Sequence, residues 1–204
     1  MDKSVSPVTE FDLVALAAGD RAEFARLVDR TSSQIFRLAL RMLGNTADAE
    51  DVLQETYLKA LRALPTFAGR SSLTTWLYRI AVNEALMLMR RRRPTLSLED
   101  DGGDDGEGPG EPRQIVDFCC LPEAELLSAE SRKFLDRAVQ QLSPGLRAVF
   151  LLRDVEGLSI KDTAEALNLT EMNVKTRLLR ARLKMREELS GYYGPHIKDS
   201  KHDD

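Results

Sequence analysis

Cysteine is almost absent: the chain of 204 residues holds two, Cys119 and Cys120, side by side. A disulfide between neighbours is strained and closes no useful loop, so no oxidised framework supports this chain. Histidine is just as scarce, with only His196 and His202 near the C-terminus. No Gly-rich phosphate loop, metal-ligand cluster or nucleophile–base set accompanies them, which argues against an enzyme and against any metal or cofactor. No apolar run approaches the roughly 18 residues of a membrane span, so membrane insertion is not expected. The N-terminal "MDKSVSPVTEFD" lacks a signal-peptide core, and the expected compartment is the cytoplasm.

Aromatic residues are few as well, at 6%, while hydrophobic residues reach 43%. The commonest types (Leu, Ala, Arg, Glu) are strong helix formers, so the composition predicts an all-α protein with a real core. The net charge of −4 taken alone disfavours a nucleic-acid partner. The charge is segregated, however. Residues 99–111, "EDDGGDDGEGPGE", hold seven acids and no base. Arg90, Arg91, Arg92 and Arg93 follow one another, and residues 175–186 contain six bases and no acid. Blocks of like charge mark tails, linkers or electrostatic footprints.

Hydrophobic spacing divides the chain into two small helical domains. Residues 1–10 read as a disordered N-terminus, and 11–93 are helical throughout, with Phe24, Leu27, Val28, Ile35 and Leu38 at three- and four-residue spacings. Gly44-Asn45 is a stop, Thr46 a plausible cap, and Val52, Tyr57, Leu58, Leu61 and Leu64 the apolar side of the next helix. Pro65 ends that helix, and Thr74 or Thr75 opens a third that runs to the arginines. Residues 94–122 have no periodicity and read as an acidic flexible linker. Helices resume over 123–192, and 193–204 read as a flexible tail.

The C-terminal half contains a helix-turn-helix. "LSIKDTAEALNLTEMNVKTRLLRAR" has a short helix with Ala164 at the tight crossing, a turn through Asn168 and Leu169, and a second helix. Val174, Leu178, Ala181 and Met185 form one buried stripe of that second helix. Lys175, Thr176, Leu179 and Arg180 fall on other faces, in the half that enters the major groove in this motif. Arg and Lys serve phosphates or guanine edges, Thr bonds either, and Leu179 suits a thymine methyl. Ser159, Lys161, Thr170 and Glu171 complete the set expected at duplex DNA. The bland alternative is a basic amphipathic helix packed in a bundle.

The N-terminal half raises a different question in "GRSSLTTWLYRIAVNEALMLMRRRRP". Trp76 and Tyr78 cannot share a helix face. Phe67 precedes them in a loop with Arg70, Ser71 and Ser72. Aromatic rings beside a polar loop make a platform for unstacked bases. Trp76 also suits the core of a three-helix bundle, and both readings stay open from the residues alone.

Here the residues carry a resemblance. "DAEDVLQETYLKALRALPTFAGRSSLTTWLYRIAVNEALMLMRRRR" resembles region 2 of bacterial RNA polymerase sigma factors of the extracytoplasmic-function (ECF) group. "LSPGLRAVFLLRDVEGLSIKDTAEALNLTEMNVKTRLLRARLKM" resembles their region 4. The resemblance implies a subunit that binds RNA polymerase core and directs promoter-specific initiation, reading the −35 element as duplex and melting the −10 element. It implies that Asp48, Glu50, Asp51, Gln54 and Glu55 dock on the β′ clamp helices, and that region 4 meets the β flap. The loop with Phe67, Arg70, Ser71 and Ser72 would capture a flipped base beside Trp76. Lys59 and Asn83 would line the place where the duplex first opens, and Arg90 and Arg91 would hold phosphates. An anti-sigma factor is the further implied partner. The sequence departs from the family pattern at Met172 and Asn173, where small residues are common. Both an RNA mimic and a solubilising spacer account for the acidic linker.

A plain helix-turn-helix regulator, dimeric and specific for duplex DNA, is the competing reading. It leaves the region-2-like half without a task.

Overall fold

The computed structural model describes residues 11–92 and 129–199. The acidic segment, Arg93, Cys119 and Cys120 lie outside these residues. Four helices build the first unit: α1 (Leu13–Ala17), α2 (Arg21–Leu43), α3 (Thr46–Ala63) and α4 (Leu73–Arg92), with a 3-10 turn at Leu64–Thr66. The second unit comprises α5 (Ala129–Gln141), α6 (Pro144–Phe150), a π-type turn at Leu151–Val155, α7 (Ile160–Leu167) and α8 (Glu171–Asp199). Among the described residues there is no strand.

Short polar residues set the helix starts. Asp20 accepts from the backbone N–H groups of Ala22 and Glu23 at 2.8 and 2.9 Å, and Ser159 accepts from Asp162 N at 3.0 Å. Two caps differ from the sequence expectation by one to three residues. Asn45, not Thr46, caps α3 by accepting from Asp48 N at 2.8 Å. Ser72, not Thr74 or Thr75, starts α4, its hydroxyl accepting from Thr75 N at 3.0 Å. In both cases the side chain must sit outside the helix to reach the free N–H groups three residues on. At its far end, α8 continues past the expected boundary at residue 192 to Asp199.

Leu27, Ile35, Leu38 and Met42 of α2 are fully buried against Val52 and Ala60 of α3 and Leu77, Val82 and Ala85 of α4. Leu58 and Leu61 are exceptions to the expected apolar side of α3, at 45% and 47% exposed. Small residues at Ala49 and Ala60 take the inner positions instead.

The two units pack on one another rather than standing apart. One continuous apolar cluster runs from Leu38 and Leu77 into Val139, Leu142, Leu151 and Leu158. Arg147 is buried at the junction. Its guanidinium donates to the Met42 carbonyl at the end of α2, and to Gln140 Oε1, Gln140 O and Leu142 O at 2.8, 2.5 and 2.9 Å. Gln140 Nε2 in turn donates to Arg41 O at 2.6 Å. Gly44, which ends α2 with φ +78, leaves the space that Gln140 fills: a Cβ there would lie 3.0 Å from its Oε1. Tyr78 of α4 and Glu156 line one crevice across the same junction.

Candidate nucleic-acid interface

The turn between α7 and α8 hinges on Asn168, which adopts the left-handed conformation (φ 54) that Asn tolerates better than most residues. Thr170 follows and accepts from Asn173 N at 3.2 Å, opening α8. Val174, Leu178, Ala181 and Met185 are all buried, as their spacing predicts, and Ala164 is buried at the crossing. That packing turns Lys175, Thr176, Leu179 and Arg180 outward, with Leu179 61% exposed. Ser159, Lys161, Thr170 and Glu171 are exposed around this face.

The six bases of residues 175–186 divide by role, with Arg186 half-buried. Arg177 is buried, and Arg182 grips Asp154 with two bonds of 2.8 and 2.7 Å. That contact holds the Arg182 guanidinium above its ordinary pKa. Lys175, Arg180 and Lys184 remain on the surface. The basic run is therefore part scaffold and part exposed surface.

In the first unit, Phe67 and Trp76 stack at 5.0 Å between ring centroids, tilted by 48°. Both are partly buried against the core. Trp76 thus serves the bundle on one side and presents its other side beside the loop. Arg70 and Ser72 are exposed, and Ser71 is partly so. Arg79 and Asn83 are also exposed. They stand three and seven residues after Trp76, on one stripe of α4. Arg79 lies outside the expected set, although its three-residue spacing from Trp76 places it on the same stripe.

Lys59 departs from the expected grouping. Its ammonium pairs with Glu84 in a groove lined also by Asp51, Glu55, Met87 and Arg91, whereas Asn83 faces α7 through a 3.3 Å bond to Ala166 O. Asp48 differs too. It is 4% exposed, held by Arg92 and by the Asn45 amide. A carboxylate in that position tethers α3 to the end of α4 and is not open to a partner. Glu50, Asp51, Gln54 and Glu55 are exposed. Of the arginine run, Arg90 and Arg91 are exposed at the end of α4.

Residues 27–95 match sigma-70 region 2 and residues 134–185 match sigma-70 region 4. The chain is 34% identical over 171 residues to the ECF RNA polymerase sigma factor SigW of Bacillus subtilis, covering 84% of this chain and 91% of that one. It is an ECF sigma factor. The ECF RNA polymerase sigma-E factor of Escherichia coli is 35% identical over 167 residues, covering 80% of this chain and 85% of its own. Among solved structures, CnrH in complex with the cytosolic domain of CnrY aligns with TM-score 0.62 and 25% identity, covering 88% of this chain and 95% of that one. The sigma factor RpoE of Bartonella quintana, solved with the anti-sigma factor NepR, shares the fold at TM-score 0.59 and 24% identity, covering 82% and 96%.

The sigma factor's role is accordingly promoter-specific initiation of transcription with RNA polymerase. Among the described residues no group of His, Cys, Asp and Glu side chains forms a metal site, and no helix is long and apolar enough to cross a membrane.

Proposed function

We propose that this sigma factor divides promoter recognition between its two units. The outward face of α8, with Lys175, Thr176, Leu179 and Arg180, reads the −35 element in the major groove. The 67–73 loop, Trp76, Arg79 and Asn83 capture the unpaired strand of the −10 element, with Arg90 and Arg91 on its phosphates. Glu50, Asp51, Gln54 and Glu55 dock on the β′ clamp helices, and region 4 meets the β flap. The chain carries no catalysis of its own and acts in the cytoplasm, where polymerase is. An anti-sigma factor is the further partner, since the sigma factor RpoE of similar fold was solved with one.

The observation that best supports this reading is the shared stripe of α4. An aromatic ring, a guanidinium and an amide line one face of α4 beside a polar loop, the set needed to stack, neutralise and hydrogen-bond an extruded nucleotide. The test uses core polymerase, the full chain and a promoter selected by that holoenzyme from a random-sequence pool. Asn83→Ala is expected to assemble normally, to fail on duplex promoter, and to recover when the −10 element is already mismatched. Pre-opening supplies the unpairing free energy of a few kcal/mol that the protein otherwise provides. Loss of assembly, or no recovery on the mismatched template, removes Asn83 from this role.

A further inference from the structure

The outward face of α8 is apolar along its centre. At about 100° per residue, Met172, Thr176, Leu179 and Leu183 fall within about 60° of one another, on the side opposite the buried Val174, Leu178, Ala181 and Met185. Met172, Leu179 and Leu183 are 67%, 61% and 42% exposed. Exposed apolar side chains scattered singly are ordinary, but these three share one line, and packing among the described residues leaves that line open. The exposed cations stand beside it, Lys175 on one flank and Arg180 and Lys184 on the other. Thr170 caps the helix by accepting from Asn173 N at 3.2 Å, so Met172 lies in the first turn, where this motif meets base edges.

Chemistry separates the centre from the flanks. A thioether and an isobutyl group offer no strong donor to a base edge, and the apolar group on the major-groove edges is the C5-methyl of thymine. We propose that Met172 is a specificity residue of this sigma factor: together with Leu179 it packs on thymine methyls of the −35 element. The proposal rests on the assignment of α8 as the −35 reading helix. Seven residues of helix rise about 10 Å, or about three base-pair steps of 3.4 Å, so the two side chains meet separate thymines. An unbranched, polarizable thioether suits a small methyl whose position shifts with the shape of the DNA.

The test isolates the methyl. Holoenzyme assembled from the full chain selects a −35 sequence from a random pool. Each thymine on either strand of that sequence is then replaced singly by deoxyuridine, which removes the C5-methyl alone. The parent is expected to lose about fourfold in affinity at two of these positions, the value of one buried methyl each. Met172→Ala is expected to lose about as much on the thymine sequence and to ignore uracil at one of the two positions. Leu179→Ala is expected to ignore it at the other. Met172→Leu keeps an exposed apolar group and is expected to retain the parent's response. A parent indifferent to uracil at every position, or Met172→Ala with the parent's full response, overturns the proposal. So does a stripe that holds a second copy of the chain: sedimentation of the free chain would then show a dimer that Met172→Ala and Leu179→Ala dissolve, with a flat uracil profile. Failure of the α8 assignment looks different. Scrambling the whole −35 element would then cost the parent nothing, whereas with the assignment intact scrambling weakens binding even where uracil does not.

Discussion

Asp48 and Asp51 stand three residues apart in the first turns of α3, and one sequence pattern describes both. Burial separates them. Asp48 holds the Arg92 guanidinium and the Asn45 amide beneath the surface, so removing its carboxylate strands two polar partners. Asp48→Ala is expected to lower unfolding stability by about 1–3 kcal/mol, and thermal or urea unfolding measures it. Asp51→Ala removes an exposed charge and is expected to change stability by about 0.5 kcal/mol or less, while weakening assembly with core polymerase. If Asp51→Ala destabilises the fold as much as Asp48→Ala does, the division between tether and docking surface is wrong. The acidic character of this turn was plain from sequence. Which acid faces inward depends on Arg92, 44 residues away in the chain, and no local pattern carries that information.

At the scale of elements, the helix-turn-helix was legible in full. Four apolar residues at alternating spacing fixed the buried stripe of α8, and the outward face followed from helix geometry. The junction between units was not legible, because it depends on carbonyls at helix ends. Arg147 sits where the last carbonyls of α2 and α5 converge, and those groups have no partner within their own helices. Burial holds its pKa down to about 10, so the side chain is still cationic at neutral pH. Arg147→Met is expected to leave the Met42, Gln140 and Leu142 carbonyls unpaired, each lost bond costing about 1–3 kcal/mol. Arg147→Lys is expected to recover little of this, since one ammonium cannot span a planar fork of acceptors. Urea unfolding of the three proteins decides the point; a lysine variant as stable as the parent would contradict it.

Tyr78 gives the same junction a pH dependence. Burial first, and then the neighbouring Glu156 carboxylate, raise its pKa above the ordinary value of 10.0, against a smaller opposing effect of Arg37. An acid whose folded pKa is raised contributes stability that is complete below pH 10 and is lost as pH rises through the folded value. Stability is therefore expected to fall more steeply above pH 10 in the parent than in Tyr78→Phe. Tyr57, also raised by burial, remains as background in both. Parallel slopes in thermal unfolding at pH 9 to 12 would remove Tyr78 from the account.

Over the whole molecule, charge decides how this sigma factor meets DNA. The formal net charge of −4 opposes approach to a polyanion, and two of the bases in the α8 run are committed to the fold, Arg177 by burial and Arg182 by Asp154. Lys175, Arg180 and Lys184 are exposed on that helix, and Arg186 is half-buried. Three neutralised phosphates imply a slope of log affinity against log salt of about −3, since each contributes about −0.9 on B-form DNA. The free chain is thus expected to bind duplex weakly, and to lose most of that binding over a modest rise in salt. Substitutions then separate the two kinds of contact. Lys184→Ala, farther along α8, is expected to flatten the slope by about 1 and weaken all sequences alike. Arg180→Ala or Lys175→Ala is expected to cost about 1–3 kcal/mol at the selected −35 sequence and to relax preference at one base pair, if the contact is to a base edge. The measurement is a salt titration of holoenzyme on selected and scrambled −35 sequences, compared between variants. Should Arg180→Ala and Lys175→Ala both weaken selected and scrambled DNA equally, the outward face of α8 would be holding the backbone only, and the base-reading residues would have to be sought at Thr176 and Leu179.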